Sequence, residues 1–158
     1  MKLNLGCSLT YMEGWANLDK HRTFKADIYH DLEEPLPLPD NSCSEINASH
    51  IFEHIYNFIP LINECHRILH PAGLLHVRVP WFQGNWGCGD PTHVRYFNHL
   101  TFNHWCEWFD LSPHINSGCR FKKISVEFIE NIAWLSDPFL AKGMISAIEE
   151  MKIELLKI

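Results

Sequence analysis

Two short apolar runs near the start of the chain each end abruptly at a residue that is suited to bind a ligand. Lys2–Leu5 precedes Gly6, and residues 16–18 precede Asp19. In parallel α/β sheets, ligands lie across the carboxyl ends of the strands, where the strand order reverses. Gly6 has no Cβ, so its backbone can approach a ligand closely, and Asp19 offers two acceptor oxygens to a vicinal diol such as a ribose. The two runs therefore predict the first two strands of a sheet with a ligand site at their ends.

Apolar runs bounded by turn residues predict five further strands. They cover residues 24–29, 43–49, 74–79, 120–129 and 151–158. Helical segments fall between several of them, and this alternation is typical of a mostly parallel α/β sheet.

The helices are predicted from spacing and from cap residues. Between the fourth and fifth strands, Ile55, Ile59 and Ile62 recur at helical spacing, and Pro60 fits the first turn of a helix that ends near residue 69. Two more helices are predicted, one over residues 101–109 and one that begins at Asp137.

Composition and charge narrow the class of protein. A length of 158 residues with 46% hydrophobic content suffices for one buried core, so we treat residues 1–158 as a single domain. Nineteen acidic and 13 basic residues give a net charge of −6, and no basic run exceeds Lys122 and Lys123, so a nucleic-acid partner is not expected. The six cysteines show no C-x-x-C spacing, and we find no signal peptide or membrane-spanning run. We therefore expect a cytoplasmic protein.

Six segments, in this order, carry a family resemblance. They are residues 2–7 (KLNLGC), 14–19 (GWANLD), 31–42 (DLEEPLPLPDNS), 48–54 (ASHIFEH), 63–73 (NECHRILHPAG) and 89–95 (GDPTHVR). Together they resemble the class I S-adenosylmethionine (SAM)-dependent methyltransferases, in particular the methyltransferase type 11-like group. The resemblance implies a Rossmann-like three-layer sandwich with a mostly parallel, seven-stranded sheet whose last strand is antiparallel. It also implies SAM as cofactor and S-adenosylhomocysteine (SAH) as product.

The resemblance assigns cofactor-binding roles to residues at the ends of the first strands. Gly6 and Cys7 correspond to the glycine loop beside the methionine part of SAM. Asp19 corresponds to the acid that holds the ribose hydroxyls. Asp31 and Leu32 fall where the family contacts adenine.

Ser49 and His50 stand at the end of the fourth strand, where the family lines the methyl-transfer site. Three positions depart from the family pattern, one of them Ser44, where the family usually has an aspartate after the turn. Ser8 stands at the second glycine of the G-x-G motif, and Ala72 stands at the first glycine of Pro-Gly-Gly.

Methyl transfer requires few catalytic groups. Methyl transfer from a sulfonium is an in-line displacement that needs positioned reactants and, where the nucleophile must lose a proton, a general base. His93 is the first candidate base because it lies in the long loop 80–99, and His50 and Glu53 are the next candidates. The alternative for His93 is a structural turn in which its ring satisfies backbone groups.

Residues for the acceptor are sought in the same loop. Trp81 and Trp86 are candidates to stack on a small-molecule acceptor, and Arg95 suits a carboxylate or phosphate on it. This aromatic loop also leads us to expect a homodimer that helps to enclose the substrate.

Two other interpretations of the sequence stay open. One is a catalytically silent module that binds SAM or SAH, or a partner subunit of another enzyme. The other follows from residues 50–54, which spell the H-x-x-E-H pattern of metal hydrolases and would bind zinc if they formed one helix. The fourth strand runs up to Ser49, however, so His50 falls at a strand–helix junction and no metal ligands are assigned.

Overall fold

A computed structural model describes residues 1–106, 115, 118–130 and 148–158. The helix predicted after Asp137 and the last residues of the helix predicted over 101–109 lie outside the described residues.

Seven strands form one sheet in the order β3-β2-β1-β4-β5-β7-β6. The strands β1 to β5 pair in parallel, and β7 runs antiparallel to both β5 and β6. The Rossmann-like, mostly parallel sheet predicted from the sequence is thus confirmed. The strand bounds are β1 Lys2–Leu5, β2 Ala16–Asp19, β3 Ile28–Tyr29, β4 Cys43–Ser49, β5 Leu69–Pro80, β6 Phe121–Glu130 and β7 Ile148–Lys157.

The third strand is shorter than residues 24–29, so that prediction is wrong in its first part. The Phe24 amide closes a turn on the carbonyl of His21, and residues 25–26 have no regular secondary structure. Only Ile28–Tyr29 pairs with β2.

The helices are α1 Phe58–Ile68 and α2 Asn85–Gly89, and 3-10 turns cover Phe52–His54 and Thr101–Trp105. Pro60 lies in the first turn of α1, as predicted. The predicted apolar face is wrong at Ile59, which is exposed, because α1 begins at Phe58 and turns another stripe inward. That stripe keeps the spacing of three and four, and it contains Phe58, Leu61, Ile62, Cys65 and Ile68.

The core lies against one face of the sheet. Leu75, Val77 and Val79 of β5 alternate with the half-buried His76 and Arg78, because successive side chains of a strand point to opposite faces. The apolar face packs against α1 and the aromatic residues near it, and the other face carries charged pairs that join neighbouring strands. Over the described residues, no helix has both the length and the apolar character needed to cross a bilayer.

The strand order reverses at β1, which pairs with β2 on one side and β4 on the other. Loops that leave neighbouring strands in opposite directions open a crevice at their carboxyl ends. The ends of β1, β2 and β4 therefore lie around one crevice, where a ligand site is expected.

Candidate active site

A cavity of about 440 Å³ occupies this crevice. Gly6, Asp19, Asp31, Leu32 and His50, which the sequence had singled out, all line it. The remaining lining residues were not among the predicted site residues: Ser8, Lys20, His21, Phe24, His30, Ile51, His54, Ile55 and Thr92.

Gly6 directly follows β1 and lines the cavity. Its φ of +59° is in the left-handed region, where a side chain is disfavoured. A Cβ on Gly6 would also lie 2.5 Å from Cδ1 of Ile51 and 2.8 Å from its Cγ1. The position therefore needs glycine for its backbone angle and for the space beside it.

Asp19 is the buried acid of the cavity, with 5% of its surface exposed. Its Oδ2 accepts a hydrogen bond of 2.8 Å from the Ser8 amide, and its Oδ1 accepts one of 2.8 Å from the His21 amide. A carboxylate has about four acceptor sites, so each oxygen keeps capacity for a ligand hydroxyl. Asp19 thus fixes the loops on both sides of it and still presents acceptors to the cavity.

His30, Asp31 and Leu32 line the part of the cavity beyond β3. Leu32 is buried, and Asp31 accepts a 3.2 Å hydrogen bond from the Glu33 amide while its Oδ2 lies 3.8 Å from Nζ of Lys20. Nε2 of His30 is buried without a hydrogen-bond partner. An apolar wall beside unsatisfied polar atoms suits a flat heterocycle with ring nitrogens.

His50 is held between two carboxylates at the cavity wall. Its φ is +52°, and its amide donates to the carbonyl of Arg78. Its Nδ1 lies 3.4 Å from Oε1 of Glu53, and its Nε2 lies 3.5 Å from Oε1 of Glu150. The structure thus brings together His50 and Glu53, two of the three predicted catalytic residues.

His93, the third, does not line the cavity, and its side chain is 5% exposed. Its ring centroid lies 4.9 Å from that of His54, which does line the cavity. The helix that the H-x-x-E-H pattern requires is absent from this described segment, since His50 precedes the 3-10 turn Phe52–His54.

Cys7 and Ser49 do not line the cavity. The Cys7 side chain is buried with its thiol 3.5 Å from the carbonyl oxygen of Lys25, and burial raises the pKa of that thiol. Ser49 lines a separate polar cavity with His76 and Arg78, because it follows Ala48 on β4 and so points to the opposite face.

None of the three acceptor candidates lines the cavity. Trp81 is 7% exposed and packs edge-on against Phe82 and Phe128. Trp86 is 61% exposed on α2. Arg95 lines a second cavity of about 360 Å³, where it lies over the ring of Phe58.

Two buried asparagines hold the loop between β1 and β2. Their role was not predicted from the sequence. Asn4 donates to Oδ1 of Asn17 at 3.0 Å and to the carbonyl of Thr10 at 3.0 Å. Asp27 accepts from the amide of Asn17 at 2.8 Å, and this bond is the main reason that its pKa is lowered. The available signal was an amide side chain inside each of two apolar runs, because such groups are buried only when hydrogen-bonded.

Comparison with known proteins agrees with this geometry. Residues 3–77 match a family model described as a methyltransferase domain. A protein of Mycolicibacterium smegmatis named "Probable S-adenosylmethionine-dependent methyltransferase" is 32% identical over 72 residues, which are 46% of this chain and 28% of the relative. The match therefore spans less than a third of that relative's length.

Solved structures agree over the whole fold. A SAM-dependent methyltransferase from Archaeoglobus fulgidus has a TM-score of 0.68 and 17% identity, over 99% of this chain and 85% of that one. A complex between a methyltransferase activator of Haloferax volcanii and a methyltransferase gives 0.67 and 13%, over 98% and 80%. These matches confirm the predicted resemblance, by sequence over residues 3–77 and by fold over nearly the whole chain, to the SAM-dependent methyltransferases.

Proposed function

We propose that the protein binds SAM in the cavity at β1 and β2 and transfers its methyl group to a small polar acceptor such as a sugar. The observation that carries the proposal is the buried acid Asp19, which lines the same cavity as Gly6. The family match covers this region.

The residues present fit SAM. Gly6 lines the cavity without a side chain, which suits the close approach of the methionine part. Asp19 offers acceptors to the ribose hydroxyls, and the apolar Leu32 beside Asp31 suits adenine. His30 also lines this part of the cavity.

When bound, SAM supplies a methyl group on a sulfonium, which is already electrophilic. The task left to the chain is to orient the acceptor and remove its proton. We assign the proton to His50, ahead of His93, because His50 lines the cavity. Glu53 and Glu150 are both placed to pair with the ring once it is protonated.

Calorimetric titration of SAM and SAH tests the cofactor site. We expect the wild type to bind both. Asp19→Asn and Asp31→Asn should each weaken binding by about ten- to a hundredfold, because a hydrogen bond to a charged group contributes about 1.5–3 kcal/mol. Glu13→Gln is the matched control, since Glu13 is an exposed carboxylate outside the cavity. Absence of binding by the folded wild type would contradict the proposal.

A turnover assay separates an enzyme from a catalytically silent binding module or partner subunit. Methyl-labelled SAM is incubated with the protein and a panel of sugars and hydroxy acids, and SAH is measured. The proposal predicts acceptor-dependent SAH that is lost in His50→Gln while SAM still binds. Binding without SAH from any acceptor would favour the silent module or a missing partner, such as the activator that the Haloferax volcanii complex contains. Homodimerisation and a cytoplasmic location stay predictions.

A further inference from the structure

Three side chains beside the cavity can hold a metal ion, although no metal ligands were assigned from the sequence. One donor atom each from Glu53, His54 and His93 lies within 4.8 Å of the other two. Donor atoms around one zinc ion, at bond lengths of about 2.0–2.1 Å, are about 3.3 Å apart. Displacements of the three donor atoms by roughly 1 Å would therefore bring them to the spacing of zinc ligands.

Glu53 supplies the strongest indication. It is 1% exposed, and its Oε2 has no hydrogen-bond partner. A buried carboxylate oxygen without a partner is costly, and such atoms are usually hydrogen-bonded or bound to a metal. The other oxygen, Oε1, lies 3.4 Å from Nδ1 of His50, so Oε2 is the oxygen left over.

Backbone contacts orient both imidazoles as metal ligands. Nδ1 of His54 lies 3.3 Å from the carbonyl oxygen of Thr92, and Nδ1 of His93 lies 3.1 Å from that of Gly87. A carbonyl only accepts, so in each ring Nδ1 carries the proton and Nε2 keeps its lone pair. This arrangement, with one nitrogen bonded to a carbonyl and the other free, is the usual one for histidines that bind metals.

The two segments that carry the donors are joined directly. The Val94 amide donates a 2.9 Å hydrogen bond to the carbonyl of Glu53, next to both histidines in the sequence. Asp90 accepts from the amide and the hydroxyl of Thr92 and so fixes the turn that carries His93. Its Oδ2 lies 3.8 Å from Nε2 of His93, which is too far for a hydrogen bond. The two segments are therefore held together before an ion binds.

We propose that Glu53, His54 and His93 bind one divalent transition-metal ion such as Zn²⁺. Two histidines and a carboxylate leave an open coordination position, as catalytic zinc sites do. His54 lines the cavity, so the proposed metal site borders it. For an acceptor bound there, the ion would polarise a hydroxyl oxygen and ease its deprotonation, a role that rests on the proposed methyltransferase function. Binding of the ion does not depend on that function.

The test measures the metal alone, in the absence of SAM. Purified protein is stripped with a chelator, loaded with Zn²⁺ or Co²⁺ and dialysed, and the bound metal is quantified by mass spectrometry. We expect one equivalent per chain, with a Co²⁺ absorption spectrum typical of nitrogen and oxygen ligands.

Glu53→Gln and His93→Asn should each reduce the bound metal to less than a tenth, and circular dichroism checks that the variants fold. His54→Gln serves as a third variant, because His54 is partly exposed and its replacement leaves the core intact. His70→Ala and Cys88→Ser are controls that remove an exposed imidazole and an exposed thiol and should bind as the wild type does. No retained metal in the wild type, or equal retention in the folded Glu53, His54 and His93 variants, would overturn the proposal.

Discussion

The turn at Gly6 gives a sharp prediction for a single methyl group. Gly6→Ala keeps the chain the same length and adds only a Cβ at φ +59°. That Cβ would lie 2.5 Å from Cδ1 and 2.8 Å from Cγ1 of Ile51, closer than such atoms approach in folded proteins. Ile51 must therefore move, and it is itself part of the cavity wall.

The loss of unfolding free energy in Gly6→Ala has two parts. A residue with a Cβ in the left-handed region costs about 1–2 kcal/mol relative to glycine. Overpacking against a side chain that must shift costs about 1–3 kcal/mol more. We expect Gly6→Ala to lower the free energy of unfolding by about 2–5 kcal/mol.

Gly14→Ala isolates the backbone part. Gly14 has φ +80°, and no atom lies within 4 Å of the position its Cβ would take. Gly14→Ala should therefore lower the free energy of unfolding by only about 1–2 kcal/mol. Ile51→Ala removes Cδ1 and Cγ1, so in that background Gly6→Ala should cost no more than Gly14→Ala does.

Urea denaturation followed by tryptophan fluorescence measures all of these variants. The expected coupling between Gly6→Ala and Ile51→Ala in a double-mutant cycle is about 1–3 kcal/mol. Equal costs for Gly6→Ala and Gly14→Ala, or a coupling near zero, would refute the assignment of a steric role to this glycine.

Three further predictions concern stability, pH and thiol chemistry. Ala72→Gly should raise the thermal midpoint by about 1–4 °C, because exposed Ala72 has φ +61° and glycine relieves that strain; an unchanged or lower midpoint would contradict this. The hydrogen bond from Arg67 lowers the pKa of Glu64, so its stabilisation is present above the unfolded pKa and is lost as the pH falls through the folded one. In urea titrations the stability gap between wild type and Glu64→Gln should therefore shrink from pH 6 to about pH 3, and a constant gap would be inconsistent. Iodoacetamide should label exposed Cys88 well before Cys119, whose pKa is raised by burial to about 12, and mass spectrometry showing equal rates would argue against the fold.

Much of the sheet could be predicted because its strands are local apolar runs bounded by turn residues. Cys43–Ser49 has the predicted bounds, and β6 is displaced by one residue from 120–129. The shortening of β3 could not be foreseen, since only the folded sheet shows that Ile28 and Tyr29 alone pair with β2. The face of α1 was misjudged at Ile59 because the helix start depends on tertiary packing at Phe58.

The site was predictable where motif order fixes strand ends and unpredictable where side-chain direction decides. Gly6 and Asp19 end neighbouring parallel strands and must meet. Ser49 ends β4 but points to the other face, and Trp81 is buried against rings from distant segments. The pairing of His54 with His93 joins residues 39 positions apart in sequence, and only the folded chain brings their rings to 4.9 Å.

The most direct test of the cofactor site is a crystal structure of the protein with SAH. We expect SAH in the cavity of Gly6 and Asp19, with its ribose hydroxyls on the Asp19 carboxylate and its adenine beside Asp31 and Leu32. SAH bound in the separate polar cavity lined by Ser49, or no SAH in crystals grown at saturating ligand, would contradict it.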